Sequence, residues 1–254
     1  MQRVRRPFAR PASYRDATLI VVACEGACDE PAYFEAMRLR LGSQRLRVEV
    51  LRREEAGNSA PEHVLRMLDG YAKEYDIDAD DQLWLVVDRD AHSWKAKQLA
   101  EVCKTCLQKR YRTAVSNPSF EVWLLLHCEG IEIINEYFKQ TTATAAKFKT
   151  YVARHRRDRA SADAWYDHLF AHMQTAISRA QTLEKTVEAG HRWPQSVGTH
   201  VHRLAAELRR IAGDTTGLSA EAHRPKAVRR KSVAGGVGIA KRARHKKKAD
   251  GDAS

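Results

Sequence analysis

The stretch LIVVACEGACDEPAYF, residues 19–34, begins as an apolar run and ends in a carboxylate, a glycine and two further acids. A second stretch, LWLVVDRDAHSW at residues 83–94, ends in a similar way, with two aspartates separated by one residue. Short, almost continuous apolar runs are typical of parallel strands that are covered by helices on both faces. The two stretches therefore predict two buried strands with acidic residues at their carboxyl ends.

The surrounding sequence alternates apolar, β-rich segments with amphipathic segments of helical periodicity. Strands are predicted at 18–24, 46–51, 83–88 and 112–116, and helices at 30–41, 61–75 and 94–110. This alternation predicts an α/β fold of the Rossmann kind, with a mostly parallel sheet flanked by helices. In such sheets ligands bind outside the carboxyl ends of the strands, where both acidic clusters are expected.

After residue 128 the pattern becomes helical, and helices are predicted at 131–138, about 140–158, 162–188 and 200–211. Thr199 is predicted to be the N-cap of the last of these helices. The predicted organisation is a basic N-terminal extension, an α/β core, a helical region packed on or following that core, and a basic, disordered tail, at residues 1–16, 17–128, 129–212 and 213–254.

The net charge of +12 is concentrated in the two tails. Residues 224–254 carry eleven Lys or Arg and two Asp, and residues 1–14 carry four Arg and no acid. Subtracting +9 and +4 from +12 leaves −1 on residues 15–223. The C-terminal segment has few bulky apolar residues, so we expect it to be disordered and able to hold nucleic-acid phosphates without selecting a sequence. A tail that only improves solubility would have the same composition. The densest basic group is Arg242, Arg244, Lys246, Lys247 and Lys248.

The sequence favours a protein of the reducing cytoplasm. No apolar segment follows the first arginines as in a signal peptide, and no apolar stretch is long enough to span a bilayer, so we expect no membrane partner. The five cysteines are an odd number, which does not suit a disulfide framework. Zinc bound by Cys24, Cys28, Cys103 and Cys106 is not expected, because one pair begins inside a predicted strand and the other lies within a predicted helix.

The acids at the strand ends predict a metal site. Asp88 and Asp90 are two residues apart, so their side chains project from one side of the strand end, where they repel unless a proton or a cation lies between them. Magnesium, or manganese in its place, would supply that charge and leave coordination positions for a phosphate. Glu25 is expected at the matching end of another strand, and Gly26 would let the backbone turn and leave space for a ligand. The alternative is a pair of acids that ends a strand at the surface.

A strand that ends in Glu-Gly, followed some sixty residues later by a strand that ends in Asp-x-Asp, resembles the Toprim domain of topoisomerases, primases and OLD-class nucleases. The resemblance implies that Glu25, Asp88 and Asp90 are catalytic and hold the metal. OLD-class nucleases carry another acid four residues after the glutamate, which is Asp29 here. The relatives described next more often carry it one position later, which is Glu30. Both residues are candidate metal ligands.

Five segments together resemble the RloB family: CEGACDEPAYF, LVVDRDAH, SNPSFEVWLLLH, AISRAQTLE and VGTHVHRL. The resemblance extends over residues 17–212. It implies a Toprim-like core, a magnesium-dependent nuclease acting on DNA or RNA, and a role in bacterial anti-phage defence, including abortive infection, beside an AAA or ABC-type ATPase encoded nearby. The oligomeric state is left open. The alternative is a non-catalytic adaptor that uses the same fold to bind nucleic acid or the ATPase.

The segment SNPSFEVWLLLH, residues 116–127, predicts a turn followed by a buried helix. Most of its side chains are expected in the core. Asn117 and Glu121 are polar and close in sequence to a strand end, so both are candidates for residues near the metal site.

Overall fold

The computed structural model describes residues 17–53, 60–89, 96–140, 145–185 and 192–213. In this part of the chain five strands form one sheet in the order β2-β1-β3-β4-β5. The first four are mutually parallel, and β5 is antiparallel to β4. The strands are β1 (Thr18–Cys24), β2 (Leu46–Leu51), β3 (Gln82–Asp88), β4 (Arg112–Asn117) and β5 (Gly198–Thr199).

Helices flank this sheet and continue after it in the chain. They are α1 (Asp29–Leu41), α2 (Pro61–Glu74), α3 (Ala96–Gln108), α4 (Glu121–Cys128), α5 (Ile131–Gln140), α6 (Ala145–Arg157), α7 (Ala162–Ala171), α8 (Met173–Lys185) and α9 (Val201–Ala212). The α/β fold with a mostly parallel sheet and a helical C-terminal region is confirmed. No described helix is both long and apolar enough to cross a membrane.

Alternate residues of the strands face two separate hydrophobic clusters, as the two-residue period of a strand requires. In β1, Ile20 and Val22 face a cluster shared with α1 and α4–α9, whereas Val21 and Ala23 face a cluster shared with α2 and α3. All four side chains are fully buried. The helices after residue 128 therefore share one hydrophobic core with a face of the sheet.

Two local predictions are wrong. The single helix expected at 162–188 is two helices, because His172 ends α7 with non-helical angles (φ −102°, ψ 9°). No glycine or proline marks this break; α7 packs on α1, and α8 packs on α9. The N-cap of α9 is His200 and not Thr199, which lies in β5 and accepts a hydrogen bond on Oγ1 from the Val201 N–H at 3.1 Å.

Several predictions fall on residues outside the described ranges. These are the basic extension at 1–16, the tail from 214 onward with its basic group, and Asp90 of the acidic pair.

Candidate functional site

The chain reverses its order in the sheet between β1 and β3, because β2 lies on one side of β1 and β3 lies on the other. Open α/β sheets form their ligand sites at such a point, outside the carboxyl ends of the strands. Glu25 follows β1 there, and Asp88 is the last residue of β3. The backbone N–H of Asp88 donates a hydrogen bond to Glu25 Oε2 at 2.9 Å. The acids of the two quoted stretches are thus neighbours.

The acid of α1 that lies nearest to this point is Glu30. Its side chain is buried and packs directly on Gly26, where an added Cβ would lie only 1.8 Å from Glu30 Oε2. Gly26 therefore leaves space for Glu30 itself, since any side chain at that position would displace the carboxylate. The neighbouring Asp29 accepts a hydrogen bond on Oδ1 from Arg156 of α6, at 3.2 Å.

A fifth carboxylate comes from the buried helix α4. Glu121, its first residue, is only 3% exposed. Its Oε1 lies 4.0 Å from Nζ of Lys149, and its Oε2 is buried without a hydrogen-bond partner among the described residues. A buried carboxylate oxygen without a partner is costly, so an arriving cation or donor would stabilise it.

These acids line one cleft of about 340 Å³. Burial raises the pKa of Asp88 well above its ordinary value, and the charges of Glu30, Glu25 and Glu121 raise it further. Burial also raises the pKa of Glu30, with smaller contributions from Glu121 and Asp29. The cleft is therefore short of positive charge around its carboxylates. Its lining comprises Glu25, Gly26, Ala27, Cys28, Asp29, Glu30, Arg53, Asp88, Glu121, Ala145 and Lys149.

Two cations of the cleft were missed by the sequence analysis. Arg53 follows β2, and its Nε and Nη1 are buried without a hydrogen-bond partner in the described part of the chain. Its position just after a parallel strand could have indicated it, as it did Glu25. Lys149 lies on α6 and is 65% exposed. Nothing in the sequence distinguishes Lys149 from the other basic residues of that helix.

Asn117, a candidate for this site, lies elsewhere. Its Nδ2 donates a hydrogen bond to the backbone oxygen of Pro194 at 2.9 Å and holds the loop that leads into β5. It is not among the residues that line the cleft.

The cysteines occupy different sides of the sheet. Cys24 belongs to the cluster on the α1 face, whereas Cys103 and Cys106 belong to the cluster on the α2 and α3 face. All five cysteines are free thiols. The sheet separates the two pairs that a four-cysteine zinc site would require.

The segments AISRAQTLE and VGTHVHRL meet in a second polar cluster at the end of β4. Glu184 of α8 lies 3.1 Å from Nε2 of His202 and also pairs with Arg203. The neighbouring His202 and Arg203 side chains lower the pKa of Glu184 to about 2. The hydroxyls of Ser116 and Thr199 are 2.8 Å apart, which ties β4 to β5. These contacts fasten α8 and α9 to the sheet.

The family of RloB-like proteins matches residues 20–208, from β1 to α9. The chain belongs to the RloB-like family. The match includes the five carboxylates of the cleft and both segments of the second cluster. No curated protein and no solved structure matches the chain.

The cleft of this RloB-like chain has the donor chemistry of a site for a hard divalent cation. Within the described ranges, no three His, Cys, Asp or Glu side chains converge as ligands of one metal ion. The five acids nevertheless offer oxygen donors, which magnesium prefers, and a bound cation would lower the raised pKa values of Asp88 and Glu30. The carboxylates of the cleft are therefore the described residues that could hold a divalent cation.

Proposed function

We propose that this RloB-like protein is a magnesium-dependent nuclease of Toprim type that hydrolyses phosphodiester bonds of DNA or RNA. The observation that carries the proposal is the contact between Glu25 and Asp88 at the point where the sheet reverses its strand order. Glu30 and Glu121 share their cleft. Five carboxylates line this cleft, and two of them, Glu30 and Glu121, are almost fully buried, which disfavours the alternative of acids that only end strands at the surface.

The metal would be held by carboxylates of the cleft. The described candidates besides Glu25 are Asp29, Glu30, Asp88 and Glu121, and Asp90 is a further candidate from the sequence. When bound, magnesium, or manganese in its place, supplies the charge that activates water and stabilises the leaving oxygen.

The chain itself provides groups for proton transfer and for phosphate binding. The Asp88 N–H fixes one oxygen of Glu25, which orients this carboxylate as an acceptor for a proton of the attacking water. The buried Nε and Nη1 of Arg53 would gain partners from phosphate oxygens, since a guanidinium binds phosphate in a bidentate manner. Lys149 adds a flexible charge at the opening of the cleft.

The biological role that we propose is anti-phage defence in the bacterial cytoplasm, together with an AAA or ABC-type ATPase. The RloB-like family membership supports this role. The sequence has no P-loop motif, so a partner would have to supply ATP hydrolysis. The basic tail would add sequence-independent affinity for nucleic acid.

The test uses the full chain with single- and double-stranded DNA and RNA, in magnesium, in manganese and in excess chelator. We expect cleavage that requires metal and is lost in Asp88→Asn and Glu25→Gln. Glu101→Gln is the matched control, because Glu101 is an exposed acid on α3, with 63% of its side chain accessible.

The same variants are then compared for phage resistance in cells that also express the neighbouring ATPase. If Asp88→Asn and Glu25→Gln protect as well as the parent, the acids are not catalytic. Nucleic-acid binding without cleavage under every metal condition would favour the adaptor.

A further inference from the structure

Strand β2 forms one edge of the sheet. It pairs with β1 on one side, and no described strand pairs with its other side. An edge strand presents backbone N–H and C=O groups that can pair with another strand. A strand that pairs with this edge must carry side chains that match those of β2.

The two faces of β2 differ in chemistry. Leu46, Val48 and Val50 pack on the α1 face of the sheet. Arg47 and Glu49 point to the opposite face, where their side chains are 36% and 40% exposed and their charged groups are 3.5 Å apart. In the strand LRVEVL, one cation and one anion therefore lie on either side of Val48, at equal distances along the chain.

We infer that two copies of this chain associate through β2, which pairs antiparallel with β2 of the second copy about a two-fold axis at Val48. In this register Arg47 of each copy lies opposite Glu49 of the other. Opposite charges directly across an antiparallel pair stabilise it, and like charges destabilise it. A two-fold axis makes both contacts identical.

The charges of β2 select this register over its neighbours. With the axis at Arg47, two arginines lie opposite each other, and with the axis at Glu49, two glutamates do. A shift by a single residue would place the side chains of one strand on the wrong face of the sheet. Pairing about Val48 is therefore the register in which the Arg47 and Glu49 charges complement each other.

Helix α1 supplies apolar surface beside this edge. A cleft of about 540 Å³ lies between α1 and β2, lined in part by Leu39, Leu41 and Leu46. Leu39 is 66% exposed, so its apolar side chain is available for contact beside this edge. A six-residue strand pair alone is small for a stable dimer, so contacts between the α1 helices would contribute to the interface.

The test measures the mass of the purified, nucleic-acid-free full chain by light scattering and sedimentation. We expect about twice the chain mass of 28.8 kDa for the parent, as for a dimer. For Glu49→Arg and for Arg47→Glu we expect the mass of a single chain. An equimolar mixture of the two variants should regain the dimer, because each then presents the charge that the other lacks. The double variant, with the two charges exchanged, should also dimerise.

The regained dimer shows that both single variants are folded, and Glu101→Arg on α3 is the control for charge reversal at an unrelated site. A monomeric parent would overturn the inference. So would single variants that remain dimeric, since another surface would then hold the copies together. Dimerisation only after deletion of residues 1–16 would overturn it as well, because the N-terminal segment and not a second copy would then cover the edge. None of these outcomes depends on nuclease activity.

Discussion

The backbone N–H of Asp88 donates a hydrogen bond to Glu25 Oε2 at 2.9 Å, although the two residues are 63 positions apart in the chain. The contact follows from the register of the sheet, in which Cys24 of β1 lies beside Val86 of β3. Both strands run in the same direction, so Glu25 and Asp88, which follow these two residues, lie at the same edge of the sheet. The donor is a backbone group, and it is therefore retained when the Asp88 side chain is changed.

Asp88→Asn should raise the stability of the metal-free protein and abolish its stabilisation by magnesium. The pKa of Asp88 is raised in the folded state, above all by burial and then by Glu30 and Glu25. The raised pKa lowers the free energy of unfolding. This loss of stability is absent below the unfolded-state pKa and grows as the pH rises through the folded-state pKa, so it is present at neutral pH. We expect the unfolding midpoint at pH 7.5 to increase by a few degrees in chelator, and to stop responding to added magnesium.

The control for this prediction is Glu101→Gln. Glu101 is paired with Lys104 on α3, where both side chains are exposed, and such pairs contribute little to stability. Its midpoint should stay close to that of the parent, and its response to magnesium should persist. A clear loss of metal-free stability in Asp88→Asn would contradict the view that repulsion dominates at this carboxylate.

Removing the cations of the cleft should weaken the binding of nucleic acid. Arg53→Ala and Lys149→Ala each delete a charge beside the acids. If each cation holds one phosphate, each substitution should reduce the salt dependence of binding. The slope of the logarithm of the binding constant against the logarithm of the salt concentration should fall in magnitude by about 0.7 for a single strand. Fluorescence anisotropy at several salt concentrations, in chelator, measures this slope. Lys104→Ala on α3 is the control, and an equal loss for Lys104→Ala would mean that only net charge matters.

The sequence was most informative where burial on both faces constrained it. β1 and β2 were predicted with their observed bounds, and β3 and β4 within one residue, because covered parallel strands read as short apolar runs. Strand polarity predicted that Glu25 and Asp88 lie at the same edge of the sheet, whereas their contact depends on the pairing of β1 with β3, which the sequence did not indicate. Asp90 lies outside the described residues, so its part in the site stays a prediction.

The remainder of the cleft depends on tertiary placement. Glu121 is brought inward because every residue of α4 except Cys128 is buried, whereas in the sequence it is only a polar residue beside an apolar run. Lys149 reaches the cleft from α6, which packs on α4. The two-residue strand β5 has no periodicity to detect, and the break at His172 carries no glycine or proline. Each of these features is decided by neighbours distant in sequence.

The stability of the protein should fall in mild acid because of buried neutral histidines. In His127, Nδ1 lies 2.9 Å from the Trp123 oxygen and Nε2 lies 3.4 Å from the Tyr33 hydroxyl, which suits a neutral ring that donates from Nδ1. Burial lowers the pKa of His127 to about 3. A lowered pKa gives stability that is complete above the unfolded-state value of about 6.5 and is lost as the pH falls toward 3.

Because of this histidine alone, the unfolding free energy should fall by about 2 kcal/mol as the pH is lowered from 7 to 5. Denaturant titrations at pH 7, 6 and 5 measure the loss. His127→Gln removes the titrating group, so its unfolding free energy should start lower but decline less steeply with acid. Parallel curves for the parent and His127→Gln would show that His127 is not the group responsible.

Deleting residues 224–254 should weaken nucleic-acid binding while leaving the fold nearly unchanged. The segment carries nine of the twelve net positive charges, so its removal lowers the net charge from +12 to +3 and should markedly flatten the salt dependence of binding. The described hydrophobic clusters end on α9, at Leu208 with Ile211 packed against it, so the thermal midpoint should shift little. Truncation after Lys248 is the matched control, because it removes six residues and no cation. A large fall in the midpoint would mean that the segment is folded onto the body of the protein, and unchanged binding would reduce it to a solubilising tail.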